Sequence, residues 1–382
     1  MRIGVDIRCL SEARPGGVPR YTRQLLEHLL RLDQQNEYIL YSNSWARPRA
    51  AFPQTNTQLR QTRWPNKLYN SSLALLRRPQ LDRVIGPVDL FFVPNINFVS
   101  LSKNCPFVLT VHDLSFEIYP RFLNIKRRLW HAGVSPRRLA RRADKIIAVS
   151  EQTKKDLIDV YEIPAERIEV IYSGIDEECF HESAAAEIKA VLAAHQLTQP
   201  YFLSIGFLEP RKNLVTLLQA FDQFKERSTL PHTLFIVGAA GWQYSQLQKM
   251  IAQLKHGRDI RLLGYLSDRE KRCLLRAADL FIYPSVYEGF GFPPLESVAV
   301  GTPVIAAAAP ALPEVLRDSA ILVQPYNVRE LTEALLASAG NDKLRQLLLS
   351  HRQEVLKNYT WQQTAKKTLD LFTNLVNNAH RN

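Results

Sequence analysis

Short β-rich apolar runs alternate with segments whose apolar residues return every three or four positions, almost from one end of the chain to the other. Runs of the first kind predict buried strands, and segments of the second kind predict amphipathic helices. In the first half this places strands at Arg2–Ile7, Tyr38–Ser42, Asp89–Val93, Phe107–Val111, Lys145–Val149 and Ile168–Tyr172. Helices are expected at Pro19–Arg31, Asn66–Arg77, Ile125–Arg142 and Glu151–Tyr161. After Tyr172 the series starts again: Ser173-Gly174-Ile175-Asp176 reads as a turn, and a polar, Ala-rich stretch, His181–His195, leads to a strand at Tyr201–Ile205. Further strands are predicted at Thr233–Val237, Ile260–Leu263, Leu280–Tyr283, Pro303–Ala306 and Ala320–Val323. Between them lie helices Leu214–Arg227, Tyr244–Lys255, Asp268–Ala277 and Pro294–Val300. The remainder reads as helices Leu331–Ala339, Lys343–Lys357 and Thr364–Asn377, interrupted at Tyr359-Thr360-Trp361. Alternation of this kind is the signature of parallel α/β architecture, here in two doubly wound domains, 1–173 and 174–360.

A length of 382 residues suits two domains, and 46% hydrophobic with 23% charged residues is ordinary globular composition, which excludes a disordered or fibrous chain. The apolar run Val298–Leu316 is broken by Gly301, Pro303, Pro310, Pro313 and Glu314, so no membrane-spanning helix is expected. Met1–Ile7 opens directly on a strand, and no secretory leader is expected. Cys9, Cys105, Cys179 and Cys273 lie far apart, as suits reduced thiols of a cytoplasmic protein better than a zinc cluster. The formal charge of +12 has its densest cluster between Arg121 and Lys145, opposed there only by Asp144. Such a cluster serves an anionic membrane surface, nucleic acid or an anionic substrate equally well, or is a solvated helix face.

The most informative stretch is Pro284-Ser-Val-Tyr-Glu-Gly-Phe-Gly-Phe-Pro-Pro-Leu-Glu296, in which Glu288 and Glu296 flank a Gly-Phe-Gly turn between a strand and a helix. Open α/β sheets bind ligands beyond the carboxyl ends of their strands, where helix N-termini offer free N–H groups to phosphate. Carboxylates on either side of that turn can accept hydrogen bonds from hydroxyls. Phosphate, hydroxyls and no evident nucleophile together point to a nucleotide sugar. Gly16 and Gly17, before the first helix, permit close approach of phosphate, or simply make a tight turn. His112-Asp113 ends a buried strand; a neutral imidazole there can bond a sugar hydroxyl and a protonated one can offset phosphate charge, or the ring is satisfied by its own loop. Arg211 and Lys212, ahead of a helix with Asn213 as its expected cap, oppose the local dipole unless an anion lies there.

Together these residues resemble the retaining GT-B glycosyltransferases of family 4, the glycosyl group 1 family, over nearly the whole chain. The Glu288…Glu296 spacing within YPSVYEGFGFPPLE is the most specific match, supported by TVHD at 110–113, AVSEQTKKDL at 148–157, GFLEPRKNL at 206–214 and LGYLSD at 263–268. The resemblance implies two facing Rossmann-like domains with parallel sheets and an interdomain cleft, the first completed by a returning C-terminal helix, 361–382. It also implies roles by motif position. Glu296 would bind the donor ribose, Glu288 the hydroxyls of the transferred sugar, Lys212 the diphosphate, and His112 the sugar near its reacting carbon. Gly16, Gly17 and Gly206, with the turn Gly289, Phe290, Gly291, Phe292 and Leu295, would line the donor site; Gly264, Tyr265 and Leu266 would border the base. No metal and no cofactor is implied, the nucleoside-diphosphate sugar being a co-substrate. The family's Arg directly after the strand glycine is Phe207 here, and the resemblance leaves Arg211, beside Lys212, as the cation that would take over its phosphate role. The usual Asn-Gly-Val-Asp turn is Ser173-Gly-Ile-Asp176.

The Glu-Pro-Arg-Lys-Asn-Leu variant resembles bacterial mannosyl- and rhamnosyltransferases of surface-polysaccharide synthesis. This implies a GDP-mannose donor first and dTDP-rhamnose second, with a glycan or lipid-linked acceptor. The expected location is the cytoplasm, peripherally on the inner face of the membrane through the 121–145 cluster. Two alternatives are a nucleotide-sugar epimerase of the same fold, which would need no acceptor, and a basic nucleic-acid-binding protein. No helix-turn-helix, zinc finger or interleaved aromatic-basic patch supports the latter, so no nucleic-acid partner is expected.

Overall fold

The computed structural model describes residues 1–11, 16–45, 52–181, 183–239, 241 and 244–379. Arg14 and Pro15 of the Gly-Gly turn and residues 380–382 of the final helix lie outside them. The chain divides into two units, Met1–Gly174 with Tyr359–Asn382, and Ile175–Asn358.

The first unit is built on a seven-stranded parallel sheet of β1 (Arg2–Asp6), β2 (Glu37–Asn43), β3 (Thr57–Thr62), β4 (Leu90–Val93), β5 (Phe107–Val111), β6 (Lys145–Ala148) and β7 (Ile168–Val170), in the order β3-β2-β1-β4-β5-β6-β7. The second has six parallel strands, β8 (Tyr201–Ile205), β9 (Thr233–Val237), β10 (Ile260–Gly264), β11 (Leu280–Tyr283), β12 (Val304–Ala307) and β13 (Ala320–Val323), in the order β10-β9-β8-β11-β12-β13. Parallel neighbours require crossover connections, and the helices that make them cover both sheet faces. Strands β4, β5, β8 and β11 are accordingly buried along their whole length. Both sheets reverse direction of strand order once, between β1 and β4 and between β8 and β11, which makes each a Rossmann-like unit with one topological switch point.

The structure corrects several expected elements. Edge strand β3, Thr-Gln-Leu-Arg-Gln-Thr, has no buried residue and carries no apolar run to announce it. Helix Ile125–Arg142 is two helices, Ile125–Val134 and Pro136–Arg142, broken at Ser135 with φ 53°. The residue before a proline is disfavoured in the helical region, and the break follows from that. Lys343–Lys357 likewise divides at His351. The Ala-rich stretch contains a helix of its own, Ala185–Ala194. Asn213 occupies the cap position before Leu214–Arg227, but its side chain spans instead to the Pro284 carbonyl and the Thr216 hydroxyl.

The final helix, Trp361–Ala379, packs in the first unit beside Gly17–Leu32. The Phe372 ring meets Phe92 of β4 at 5.2 Å, and the Thr364 hydroxyl donates to the Tyr172 carbonyl at 2.8 Å. Gly174 lies so close beneath this helix that a Cβ there would meet the Trp361 amide nitrogen at 2.3 Å.

Candidate active site

In the second unit the loops that leave β8 and β11 lie side by side at the switch point, because these strands are neighbours in the sheet. The β8 loop passes Gly206 and closes a short 3-10 turn, Pro210–Lys212. The β11 loop is laced onto that turn: the Val286 amide donates to the Arg211 carbonyl at 3.0 Å, and the Ser285 hydroxyl oxygen lies 3.2 Å from the same carbonyl. Arg211 and Lys212 are thereby brought against Glu288, remote from them in sequence.

Glu288 is the centre of a buried charged network. Its Oε1 accepts from Lys212 Nζ at 2.5 Å, from the Ser285 hydroxyl at 2.5 Å and from the Tyr283 hydroxyl at 2.9 Å. Its Oε2 accepts from Arg211 Nη1 at 3.0 Å. The Tyr283 hydroxyl in turn accepts from Lys212 Nζ at 2.6 Å, and Arg211 Nη2 also holds Glu209 at 3.1 Å. Burial would push the Glu288 carboxyl up, but Arg211, Lys212 and the Ser285 hydroxyl outweigh it and hold its pKa at about 2. Burial pulls the Lys212 ammonium below its ordinary range, against the counter-pull of Glu288. The Tyr283 phenol is driven far up by burial and by the neighbouring carboxylate, so it remains a neutral donor. The Glu288 carboxylate is therefore ionised throughout the physiological range, with Oε1 fully engaged and Oε2 retaining room for a further donor.

Three residues beyond Glu288, Gly291 starts helix Phe292–Val300 from a left-handed conformation, φ 95°, and a Cβ there would lie 2.5 Å from Leu312. Only glycine fits both requirements. The helix begins at Phe292, two residues before the predicted start, and Phe290 and Phe292 stack edge to face at 5.1 Å across its entrance. Pro293 and Pro294 carry no N–H, so of the helix's first three residues only Phe292 has an amide donor at this terminus, and no acidic side chain stands in the first turn. Glu296 and Leu295 follow inside it, both buried. Gly264 ends β10 at φ 72°, with Tyr265 exposed and Leu266 buried after it. Phe207, at the position of the family arginine, is half exposed.

The remaining predicted residues belong to the first unit. Gly16 caps and Gly17 begins helix Gly17–Leu32; a Cβ on Gly17 would meet nothing, so no steric demand of the described residues requires glycine there. His112 follows β5 with its Nε2 on the Pro94 carbonyl at 2.9 Å and its ring edge-on to Tyr21 at 4.7 Å. A carbonyl accepts only from an N–H, so Nε2 carries the proton, and burial lowers the ring's pKa. The neutral imidazole of the sequence-based expectation fits this setting and the protonated one does not.

Three groups escape the sequence argument. Tyr283 and Ser285 carry Glu288 as closely as the cations do, yet in sequence they read as a strand end and a turn residue. The signal was positional: Tyr283 is the last residue of a buried strand beside the switch point. In the first unit Arg8, just past β1, forms a buried pair with Asp6 at 2.6 Å, donates to the Phe98 carbonyl and lies 5.9 Å from the ring centroids of both Tyr41 and Tyr69. Among the described residues no group of three His, Cys, Asp or Glu side chains is arranged to hold a metal ion.

Two family models match the chain: Glycosyltransferase Family 4 over residues 15–178 and Glycosyl transferases group 1 over residues 187–350. O-antigen chain mannosyltransferase B of Escherichia coli is 31% identical over 266 residues, covering 69% of each chain. The serotype-specific mannosyltransferase WbdA of the same organism is 26% identical over 240 residues, which are 62% of this chain and 29% of WbdA. Among solved structures, sucrose-phosphate synthase from Thermosynechococcus elongatus superposes with a TM-score of 0.76 at 19% identity over 98% of both chains, a likeness of fold. The first model covers most of the first unit and the second lies within the second unit, and the chain belongs to the group 1 glycosyl transferases of glycosyltransferase family 4.

Proposed function

We propose that this glycosyltransferase moves a hexosyl residue, mannosyl before rhamnosyl, from a nucleoside-diphosphate sugar, GDP-mannose before dTDP-rhamnose, to a glycan or lipid-linked acceptor of a surface polysaccharide, with retention of anomeric configuration and without a metal ion. The similarity to an O-antigen chain mannosyltransferase supports the sugar and the acceptor class. The observation that carries the chemistry is the Glu288 network with its two cations, beyond the carboxyl ends of the neighbouring strands β8 and β11.

In this reading Arg211 and Lys212, with the backbone N–H groups of the Gly289–Phe292 turn, take the negative charge that develops on the leaving diphosphate. Glu296 binds the ribose, and Gly206, Gly264, Tyr265 and Leu266 border the nucleotide. Glu288 offers Oε2 to a hydroxyl of the transferred sugar, and neutral His112 offers Nδ1 to another. A carboxylate bound by Lys212, Arg211, Tyr283 and Ser285, with its pKa near 2, is a poor nucleophile. A covalent sugar–Glu288 intermediate is therefore disfavoured, and the acceptor attacks on the face from which the diphosphate departs.

The test is transfer from GDP-mannose and from dTDP-rhamnose to an acceptor glycan, with the product's anomeric configuration read by NMR. Product keeping the donor's configuration is expected; inversion overturns the proposal. An acceptor-free arm separates transfer from epimerisation, which neither the matched family models nor the relatives named above support.

A further inference from the structure

The positive charge of this protein is confined. Residues 57–81 and 118–143 hold thirteen of its 49 Lys and Arg and none of its 37 Asp and Glu, so the rest of the chain is close to neutral and these two segments carry the entire excess of +12. Both belong to the first unit. Arg63, Lys67, Arg77 and Arg78 in one, and Arg121, Lys126, Arg127 and Arg128 in the other, are exposed. The far end of the 121–145 cluster is engaged within the fold: Arg137 and Arg141 both pair with Glu162, and Lys145 donates to the Glu166 carbonyl.

The same segments expose apolar side chains that the fold leaves uncovered. Leu75 is 82%, Ile125 73% and Leu129 69% exposed, with Trp64, Leu68 and Leu76 similarly placed. Among the described residues, nine of the nineteen exposed large hydrophobic side chains lie in these two short segments. Ile125 and Leu129 thus do not form a buried face of helix Ile125–Val134. The segments are also neighbours. Phe98 meets the Trp130 ring edge-on at 5.7 Å, and two residues on the Ser100 hydroxyl donates to the Arg77 carbonyl at 2.6 Å. The first segment comprises β3 and the helical stretch beyond its carboxyl end, with Tyr69 bonded to Tyr41 near the end of β2; the second lies beyond β5, with Phe116 stacked on His131 at 4.1 Å.

Apolar surface of this kind marks an interaction site. Its occupant must accept leucine, isoleucine and tryptophan while offering only negative charge. A second copy of this chain would set like charges against each other. An anionic bilayer satisfies both demands, its phosphates meeting the cations and its headgroup boundary the apolar side chains. No helix among the described residues is long and apolar enough to cross a membrane, so the contact is interfacial. We propose that residues 57–81 and 118–143 together form a docking surface for an anionic lipid bilayer, which sets the carboxyl edge of the first unit's sheet at the membrane.

The experiment is sedimentation of the full chain with phosphatidylcholine vesicles, with and without phosphatidylglycerol, at low and high salt. Wild type should bind the anionic vesicles and be weakened by salt. Each neutralised cation near the leaflet should cost about fivefold in binding, so Lys67→Gln, Arg77→Gln, Lys126→Gln and Arg127→Gln together should cost roughly several hundredfold. Leu75→Ser with Ile125→Ser and Leu129→Ser should remove the part of the binding that salt leaves intact, with the thermal midpoint unchanged in both variants. If the fourfold variant fails to fold, Lys126→Gln and Arg127→Gln singly should still show the fivefold effect. Equal binding to neutral and anionic vesicles, undiminished binding of the charge variants, or tighter binding to duplex DNA than to anionic vesicles at the same salt overturns the proposal.

Discussion

Replacing Glu288 by Gln should destabilise the second unit as well as impair transfer, because the carboxylate is the counter-charge of a buried ammonium. Two routes give the magnitude. Removing one member of a buried, hydrogen-bonded ion pair costs about 3–5 kcal/mol, since the other charge is left uncompensated. Independently, a carboxyl whose pKa falls from 4.5 to about 2 on folding contributes about 3 kcal/mol at neutral pH. The agreement puts the expected loss near 3 kcal/mol, or roughly 6–12 °C in the thermal midpoint of a unit of this size.

The pH dependence has a definite sign. A folded-state pKa below the unfolded one gives stability that is complete above about pH 4.5 and is lost as the pH falls toward 2. The gap between wild type and Glu288→Gln should therefore be widest at pH 7 and shrink below pH 4.5. Calorimetry of the full chain, with Lys212→Met and the double variant completing a cycle, measures both effects. The double variant should be more stable than the two single losses predict, because it leaves no buried charge alone. A wild-type-minus-variant difference that stays flat from pH 7 to pH 3, or strict additivity in the cycle, would refute the electrostatic account.

Glu296→Ala should raise the donor KM by about tenfold to a hundredfold with a smaller effect on kcat, from the loss of a charge-assisted hydrogen bond worth roughly 1.5–3 kcal/mol; isothermal titration with nucleoside diphosphate checks it. Tyr283→Phe removes a hydroxyl that both accepts from Lys212 and donates to Glu288, and should cost about 1–3 kcal/mol of stability along with turnover, read by thermal unfolding and initial rates. Transfer should proceed undiminished in excess EDTA, and reversible loss restored by magnesium or manganese would show that an ion does what Arg211 and Lys212 are assigned.

The parts of this fold that were legible in sequence are those whose signal is local. Strands β4, β5, β8 and β11 are apolar because helices cover both their faces, and such runs identify themselves. β3 had no such run, since an edge strand with exposed side chains needs only backbone pairing with β2. The break at Ser135 was announced by Pro136 and should have been expected; the break at His351 has no glycine or proline beside it, and nothing in the described residues explains it. At the candidate site, the glycine turn and the two glutamates stand in one short stretch and could be found together. That Lys212 and Arg211 converge on Glu288 depends on β8 and β11 being neighbours, a fact of sheet order that no local pattern contains.

The same convergence changes what the site residues can be said to do separately. By motif position Lys212 belongs to the diphosphate and Glu288 to the sugar, which would make them independent. In the network they are not. Burial alone drives Lys212 toward the neutral amine, which would offer nothing to phosphate; the adjacent carboxylate is what opposes that loss. Conversely, Glu288 stays ionised in a buried setting because Arg211 and Lys212 outweigh its desolvation. Tyr283 and Ser285 then fill Oε1 beside Lys212 and leave Oε2, which accepts from Arg211, with capacity for a substrate hydroxyl. Recognition of the sugar and stabilisation of the leaving group thus draw on one charge balance, so substitutions within it act as a unit and single-residue losses in rate cannot be summed into separate contributions.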